Sequence, residues 1–441
     1  MTTASDPWVI VVGAGPSGLL LGLLLAQQGI AVHLIDQSDK LDEQPRATHY
    51  ATPAVSELRR AGVTDDLRAA GFIPNTICWR KLDGTYLTGL DSRVLGDDPD
   101  RMICLPLNKV CQILYNHLTR HPSATVSWGQ KVVSIGQDEN TAWVDVDTPQ
   151  GQKTLHAKYI VGCDGANSRV RRSLFGDFPG KTWDQQIVAT NTYYDFEKFG
   201  WEDSNFIIHP EHWYMAAKIT KDGLYRVTYG ELPGLTNEEL RQRQPEKFRT
   251  MLPGHPEPEE YNIVNFSPYK IHQRVAPSMR VGRFCLAADA AHRKSLLSPV
   301  VCNPFGGMGL TSGIVDVGGL FDCLLGIHEG GADESILDKY SEIRRQKYHE
   351  IIDPISSQNI LRLFDQDPET ALENDEFLQI LKRGEQDHDF AREVQLGINR
   401  LKHDFTQYYH QPLRTGTDKF AGNLSPAHDI PLQAAAIGVA D

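Results

Sequence analysis

Three glycines near the start of the chain have the spacing of a turn that binds nucleotide phosphates. Gly13, Gly15 and Gly18 follow a short apolar run and open a long apolar segment. In such a turn the first glycine permits a tight bend, the second lets the main chain approach a pyrophosphate, and the third lets helix and strand pack closely. Asp36 lies about 20 residues further on, where a carboxylate accepts ribose hydroxyls. These residues favour a dinucleotide site over an ordinary glycine turn in a βαβ unit.

Two further groups of residues could bind the same kind of ligand. In the run 163–171, Asp164 ends an apolar strand, and Arg171 lies where a helix begins and can contact phosphate or ribose. Asp289 ends another apolar strand and is followed by the glycine-rich run 303–309. An acid at a strand end can bind a ribityl or ribose hydroxyl, and the glycines let main-chain N–H groups approach a flat ring system.

The elements that must position these groups are buried parallel strands. Short apolar runs without periodicity predict such strands at 9–12, 31–35, 159–163 and 283–288. Three of the strands end in an acid beside glycine or alanine, at widely separated places in the chain. We therefore expect one nucleotide-binding domain assembled from discontinuous pieces, with an inserted β-rich domain.

The rest of the chain is predicted to contain further helices, antiparallel strands and two hairpins. A helix is expected at about 107–119, and the chain after about 335 is charged and mostly helical up to a tail after about 412. Alternating apolar and polar residues predict antiparallel strands at 125–128, 131–135 and 142–146. Asp83-Gly84 and Asp222-Gly223 are hairpin signals.

Composition narrows the class of protein. The chain has 441 residues and a net charge of −13, which argues against nucleic acid because phosphate binding needs a basic face. The seven cysteines are scattered without a CxxC, which favours a reducing, cytoplasmic compartment. His117 and His121 are spaced for a metal, but Pro122 follows at once and no metal is expected. We also expect no secretory leader and no membrane span.

The three motifs, in this order, resemble the flavoprotein monooxygenases of the p-hydroxybenzoate hydroxylase type, over about residues 8–345. The DGANSRVR run at 164–171 and the CNPFGGMGL run at 302–310 carry the resemblance together with the first glycine turn. Within that family the chain looks like the fungal secondary-metabolism branch, which acts on polyketides and related aromatics. The oligomeric state is left open.

The resemblance implies a fold and a reaction. The expected fold is α/β, with a Rossmann-like FAD-binding domain, an inserted mainly antiparallel substrate domain and a helical C-terminal region. The expected ranges are 1–75, 101–175 and 275–345 for the first, 76–100 and 176–274 for the second, and 346–441 for the third. NAD(P)H would reduce FAD, O2 would form a C4a-hydroperoxyflavin, and an electron-rich aromatic small molecule would be hydroxylated.

The resemblance also assigns cofactor-binding residues. Those expected to contact FAD are Gly13, Gly15, Gly18, Asp36, Arg46, Ala47, Lys109, Val133, Asp164, Arg171, Asp289, Gly306, Gly307 and Met308. Lys109 stands where many relatives have arginine, which keeps the charge but loses the bidentate fork.

Two departures from the family pattern bear on the flavin site. Ala288 precedes Asp289 where most relatives have glycine. Residues 293–301 form an additional segment between the ribityl-binding acid and the flavin-facing glycines. This segment could bulge outward, could spoil the site, or could be an artefact of the gene model.

The β-rich middle of the chain is expected to form the roof over the substrate. The runs 213–219 and 224–229 predict a hairpin, and alternation puts Tyr225 and Tyr229 on one face and Arg226 and Thr228 on the other. A tyrosine or arginine on the substrate face could hold a phenolate, so Tyr225 and Arg226 are the catalytic candidates. Tyr193 and Tyr194 are further candidates, and all of them could instead be ordinary sheet residues.

The sequence allows two other functions and disfavours two more. A Baeyer–Villiger or dearomatising oxygenation could use the same flavin peroxide, and an inactive flavin-binding protein would follow if residues 293–301 spoil the site. A flavin-dependent halogenase is disfavoured because its WxWxIP signature is not found, and a two-nucleotide reductase because a second GxGxxG unit is not found.

Overall fold

A central, mostly parallel sheet carries the nucleotide-binding motifs. The computed structural model describes residues 6–45, 47–293, 304–411 and 413. The six strands of this sheet are, in spatial order, β17 (Arg280–Val281), β18 (Phe284–Leu286), β11 (Tyr159–Gly162), β1 (Val9–Val12), β2 (Val32–Ile35) and β7 (Ala124–Ser127). All neighbours are parallel except β17 and β18. The predicted assembly of one sheet from distant pieces of the chain is confirmed.

The pairing direction predicted for one strand was wrong. The run 125–128 was expected in an antiparallel group, but β7 lies parallel to β2 at the edge of the central sheet. A helical crossover, α4 (Leu107–Leu118), precedes β7 and returns the chain in the same direction as β2, which dictates parallel pairing. The other two runs are antiparallel as predicted, in a separate sheet of β8 (Lys131–Gln137), β9 (Ala142–Thr148) and β10 (Gly151–Ala157).

A second, larger sheet is mainly antiparallel. Its eight strands are, in spatial order, β19 (His292–Arg293), β16 (Asn262–Val275), β12 (Gly180–Tyr193), β15 (Leu224–Glu231), β14 (Tyr214–Lys218), β13 (Ser204–Ile208), β4 (Thr76–Lys81) and β5 (Tyr86–Asp91). Only the β13–β4 pair is parallel. Both predicted hairpins are confirmed, and Gly84 and Gly223 turn them with φ of +88° and +89°.

Helices cover the sheets, and β3 (His49–Tyr50) and β6 (Ile103–Cys104) form a separate two-stranded antiparallel ribbon. The helices besides α4 are α1 (Pro16–Gln27), α2 (Thr52–Arg60), α3 (Thr64–Ala70), α5 (Arg169–Leu174), α6 (Asn237–Met251), α7 (Met308–His328), α8 (Ile336–Lys347), α9 (Asp353–Phe364), α10 (Ala371–Asn374), α11 (Glu376–Gly384) and α12 (His388–Leu396). The predicted helical C-terminal region is confirmed up to α12.

The longest helix, α7, is part of the core. Among the described residues it is the one helix long and apolar enough to cross a membrane, and 89% of its apolar window is buried inside the fold. The sequence alone predicts no apolar stretch of this length. Glycine and two aspartates interrupt the run, so it does not read as a continuous apolar segment.

Three apolar clusters show what each sheet face packs against. One lies between the central sheet and helices that include α1 and α7. The second joins one face of the large sheet to the C-terminal helices and to Phe305 and Met308. The third joins the opposite face, with Tyr225 and Tyr229, to α6. The large sheet is therefore covered on both faces, and the cavity described next lies where it meets the central sheet.

Candidate cofactor and substrate site

One cavity of about 1070 Å³ is lined by half of the sequence-predicted site residues. Its wall includes the ends of β1, β2 and β11, the start of α7, and strands β12, β15 and β16 of the large sheet. Ligands of open α/β sheets bind outside the carboxyl ends of the strands, which is where this cavity lies. The volume is at the upper end of the roughly 300–1,000 Å³ typical of small-molecule pockets, so it can hold a large cofactor.

The first glycine turn has the geometry that a pyrophosphate needs. A Cβ on Gly13 (φ +108°) would lie 2.3 Å from the Cys163 carbonyl oxygen, and one on Gly18 would lie 1.9 Å from the Gly13 oxygen. Those two glycines are required by packing, and Gly18 is not on the cavity wall. Gly15 is on the wall, and a Cβ there would meet no atom within 4 Å. The main chain at Gly15 is therefore open to a ligand on the cavity side.

Asp36 lies on the cavity wall directly after β2. Its carboxylate accepts hydrogen bonds from the Ala14 and Ser38 main-chain N–H groups, both at 2.8 Å. These bonds tie Asp36 to the glycine turn and fix its orientation. The role toward a ribose remains a prediction.

The second motif leaves one acceptor free beside the cavity. Asp164 accepts hydrogen bonds from the Arg169 and Val170 N–H groups at 2.6 and 3.2 Å. Its other oxygen, Oδ1, is buried without a hydrogen-bond partner among the described residues. Burial raises the pKa of Asp164. A buried, unpartnered oxygen on the wall is suited to a hydroxyl donor of a ligand.

Arg171 does not line the cavity, so its position does not support the prediction that it binds the cofactor. Its side chain is buried, and its guanidinium donates hydrogen bonds to the carbonyl oxygens of Ala166 and Ala290, both at 2.8 Å. The helix that carries Arg171 turns its side chain inward, so the charge connects the second motif to the third. Its contribution is structural support for both.

The third motif presents Asp289 to the cavity, one residue after a strained alanine. Ala288 has φ of +54°, a left-handed conformation that favours glycine, which accounts for the glycine of most relatives. A Cβ on Gly313 of α7 would lie 2.7 Å from the Ala288 methyl, so this glycine makes room for the alanine. Asp289 is on the wall.

The three residues predicted to face the flavin do not line the cavity. Gly306, Gly307 and Met308 are not among the wall residues, and a Cβ on Gly306 would lie 2.6 Å from Ser356 Oγ. Met308 is fully buried in the core. The wall is made instead by Gly309, Leu310 and Gly313, which share one face of α7.

The other residues predicted to bind the cofactor differ in their position relative to the cavity. Ala47 and Val133 are on the wall. Lys109 is exposed on α4, while its neighbours Leu107 and Asn108 face the cavity, so its prediction is not supported by its position. Arg46 and the segment 294–303 lie outside the described residues.

Of the two catalytic candidates, only Arg226 faces the cavity. Its Nη2 donates a hydrogen bond to the Pro45 carbonyl oxygen at 2.9 Å, and Nε and Nη2 both lie 3.2 Å from Asn191 Oδ1. Tyr225 points to the opposite face and packs on Phe196 with ring centroids 4.7 Å apart. Alternation along β15 was predicted correctly, but Tyr225 is on the side away from the cavity.

The sequence did not reveal the other polar residues that the large sheet contributes to the cavity wall. They come from β12 and β16 and are Asn191, Asn265, Ser267 and Tyr269. Their period-two spacing on β16 was the available signal, but pairing with β12 is needed to place them beside Arg226. Tyr193 and Tyr194, the further candidates, do not line the cavity; their hydroxyls bond Asp222 and the Pro253 carbonyl.

No cluster of three metal-ligating side chains occurs in the part of the chain that the structure describes. The cysteines in that part, six in number, are free thiols. The polar groups on the cavity wall are main-chain N–H groups, carboxylates, amides, hydroxyls and basic side chains, and among the residues of the large sheet on that wall the basic one is Arg226.

Comparisons with known proteins identify the family to which the chain is similar. Residues 6–354 match the model of the FAD binding domain family. The chain is 34% identical over 395 residues to para-nitrophenol 4-monooxygenase of Pseudomonas sp. (strain WBC-3), covering 89% of this chain and 95% of that protein. It is 36% identical over 363 residues to 6-hydroxy-3-succinoylpyridine 3-monooxygenase HspB of Pseudomonas putida (strain DSM 28022 / S16), covering 82% and 90%.

A solved structure shows the same architecture. The crystal structure of p-nitrophenol 4-monooxygenase PnpA from Pseudomonas putida DLL-E4 superposes with a TM-score of 0.83 at 33% identity, covering 90% of this chain and 98% of that one. The predicted fold is confirmed. These relatives are bacterial, so the expected placement in a fungal branch has no support.

Proposed function

The chain belongs to the FAD-binding monooxygenase family, and from that premise we propose that it hydroxylates a phenolic ring with NAD(P)H and O2 as co-substrates. The observation that supports this most strongly is the continuity of the cavity. One space extends from the glycine turn at Gly15 to the polar wall around Arg226. A dinucleotide cofactor and an aromatic substrate can therefore lie in contact with each other.

The residues present fit FAD. Gly15 leaves the turn open for the pyrophosphate, Asp36 lies where the adenosine ribose would be, and Asp164 and Asp289 offer acceptors for hydroxyls. When bound, FAD supplies the electron transfer from NAD(P)H and the activation of O2. The protein contributes position, charge and exclusion of water from the reacting atoms.

Arg226 is the residue that we propose to select an ionised phenol. Its guanidinium brings positive charge to the wall beside the amides of Asn191 and Asn265. A phenolate is more electron-rich than a phenol, so its ring attacks an electrophilic oxygen more readily. A cation that favours the phenolate therefore favours the reaction as well as binding.

The substrate class can be narrowed from the two relatives' names. Both place the new oxygen on a ring carbon that is para to a hydroxyl and already bears a substituent, nitro in one and succinoyl in the other. We propose the same class here: a hydroxylated aromatic or heteroaromatic ring that is substituted at the para carbon. Polyketide substrates receive no support from relatives at this identity.

The experiment is a comparison of phenols on the purified flavoprotein. NADH and NADPH oxidation are followed with para-nitrophenol, with the unsubstituted phenol and with meta-nitrophenol as matched probes. The proposal expects the para-substituted ring to stimulate oxidation and to release its substituent, measured as nitrite. Stimulated oxidation with peroxide as the sole product would instead favour an inactive flavin-binding protein, and ring-expanded or dearomatised products would favour the other oxygenations.

Cytoplasmic location also stays a proposal. It is supported by the free thiols of the described cysteines, which suit a reducing compartment.

A further inference from the structure

A buried aspartate on α7 supports the turn that presents Asp289 to the cavity. Asp316 is fully buried and accepts hydrogen bonds at both carboxylate oxygens. Oδ1 accepts from Arg344 Nε at 2.7 Å, and Oδ2 accepts from His292 Nε2 at 2.8 Å. The Ala288 main-chain N–H also donates to Oδ2, at 3.1 Å. Three separate parts of the chain therefore meet at one side chain.

The hydrogen bond from the Ala288 N–H to Asp316 restrains the turn that places Asp289 on the cavity wall. Ala288 is held in the left-handed region, which costs an alanine about 1–2 kcal/mol. Without a restraint, this residue would relax toward negative φ and move the Asp289 side chain that follows it. The turn is restrained from two sides, because Arg171 holds the Ala290 carbonyl oxygen while Asp316 holds the Ala288 N–H.

The charges around Asp316 keep its carboxylate ionised. Burial alone would raise the pKa of Asp316, but the neighbouring Arg344 and His292 outweigh burial and lower it. The side chain of Arg344 is itself buried, and its Nη1 donates to the Leu401 carbonyl oxygen. An ionised carboxylate is a stronger acceptor for the Ala288 N–H than a neutral group would be.

We propose that Asp316 is a positioning residue for cofactor binding, which holds the strained Ala288 so that Asp289 is presented to the cavity. This rests on the proposed function in one respect, that Asp289 contacts FAD. Asp316 itself does not line the cavity and acts through Ala288.

The test compares two substitutions on the same helix. Asp322, which lies six residues further along α7, is also buried but bonds Arg60 far from the turn. In Asp316→Asn the amide has one acceptor and one donor end, so it cannot serve both Arg344 and the Ala288 N–H. We expect Asp316→Asn to raise the dissociation constant of FAD about tenfold, the loss of one charge-assisted hydrogen bond. Asp322→Asn is the matched control and is expected to leave it unchanged.

A rescue separates positioning from general stability. In Ala288→Gly the left-handed conformation carries no strain, so the turn no longer needs the restraint. FAD affinity of Asp316→Asn/Ala288→Gly should return to within about threefold of Ala288→Gly alone, whereas melting temperature should not recover. Both are measured without any substrate, by fluorescence titration of flavin-stripped protein and by thermal unfolding.

The affinities for FAD show whether Asp316 positions the turn or only stabilises the fold. Equal FAD affinity of Asp316→Asn and wild type would overturn the proposal, and so would an affinity loss that Ala288→Gly fails to rescue. If Asp316→Asn does not fold, Asp316→Glu keeps the charge opposite Arg344 while shifting the acceptor from Ala288, and the same rescue is required of it. Failure of every phenol to stimulate NAD(P)H oxidation would refute the proposed function and leave this affinity comparison intact.

Discussion

Two buried aspartates on α7 differ in the number of charges around them. Asp316 has two basic partners, Arg344 and His292, for one carboxylate. Asp322 shares one partner, Arg60, with a second carboxylate, Glu57. Although both side chains are shielded from solvent, the pKa of Asp316 is lowered and that of Asp322 is raised.

The difference shows that burial alone does not decide the direction of the pKa shift, because nearby positive charge lowers the pKa of one buried carboxyl group and fails to lower that of the other. Burial is the largest cause of the raised pKa of both Asp322 and Glu57, and it outweighs Arg60 and Lys402, which lower both values. Only the cluster around Asp316 has enough positive charge to overcome burial. That cluster also contacts the turn at Ala288, so the carboxyl group with the lowered pKa is the one that supports the proposed cofactor site.

The largest expected effect is on stability at Asp316. Asp316→Asn leaves the Arg344 guanidinium buried without a counter-charge, which typically costs about 3–5 kcal/mol of unfolding free energy. Asp322→Asn leaves Arg60 paired with Glu57 and should cost much less. Urea unfolding of both variants measures this, and equal losses would show that the two clusters are equivalent.

A second prediction extends the contrast to β15, where Arg226 faces the cavity and its neighbour Tyr225 faces away. Arg226→Met should lower kcat/KM for a para-substituted phenol at least tenfold, about 1.4 kcal/mol of transition-state stabilisation. Arg226→Lys keeps the charge and should lose less. Tyr225→Phe should change kcat/KM by less than twofold, and a large loss there would mean that the wrong face of the sheet has been assigned to substrate.

The next effect is a gain at Ala288. Ala288→Gly removes about 1–2 kcal/mol of left-handed strain and adds roughly 0.5–1 kcal/mol of chain entropy, so it should stabilise the protein by about 0.5–1 kcal/mol. Thermal unfolding measures the change. A destabilised variant would show that the Ala288 methyl, packed over Gly313, matters more than the strain.

The smallest expected effects are on the pH dependence of folding stability. The contributions of Asp316 and Asp322 to that dependence have opposite signs. Asp316, with a lowered pKa, contributes stability that is present above its ordinary pKa and is lost as pH falls through the folded value. Asp322, with a raised pKa, binds its proton more tightly when folded, so stability falls as pH rises from the ordinary value to the folded one. Melting temperature is measured from pH 3 to 7.

The two substitutions should therefore change that profile differently. Asp316→Asn should flatten the loss of stability in acid, whereas Asp322→Asn should make the rise in stability toward neutral pH steeper. Profiles that shift in parallel would contradict the assigned pKa directions.

The sequence was sufficient to place residues whose positions depend only on the strand that precedes them. Gly13, Asp36 and Asp289 follow strands at fixed spacing, so their positions on the cavity or its turn could be read from the chain. Tyr225 and Arg226 were placed on opposite faces by alternation, but alternation does not say which face meets the cavity. That depends on α6, which covers the Tyr225 face.

Residues that depend on distant pairing could not be predicted. Asn191 and Asn265 lie beside each other only because β12 pairs with β16. Asp316 bonds residues 24 to 28 positions away on both sides, through elements that no local pattern connects. The departure at Ala288 was noted from the sequence, but its reason, a φ of +54°, required the structure.

The central claim is that FAD and a phenolic substrate share one cavity with Arg226 on its wall. The most direct measurement is the visible absorption spectrum of the flavoprotein during titration with para-nitrophenol analogues that absorb outside the flavin bands. We expect a saturable perturbation of the flavin spectrum that persists in Tyr225→Phe, and we expect the affinity measured from it to be at least tenfold weaker in Arg226→Met. A flavin spectrum that no phenol perturbs, or one perturbed equally in wild type and Arg226→Met, would contradict it.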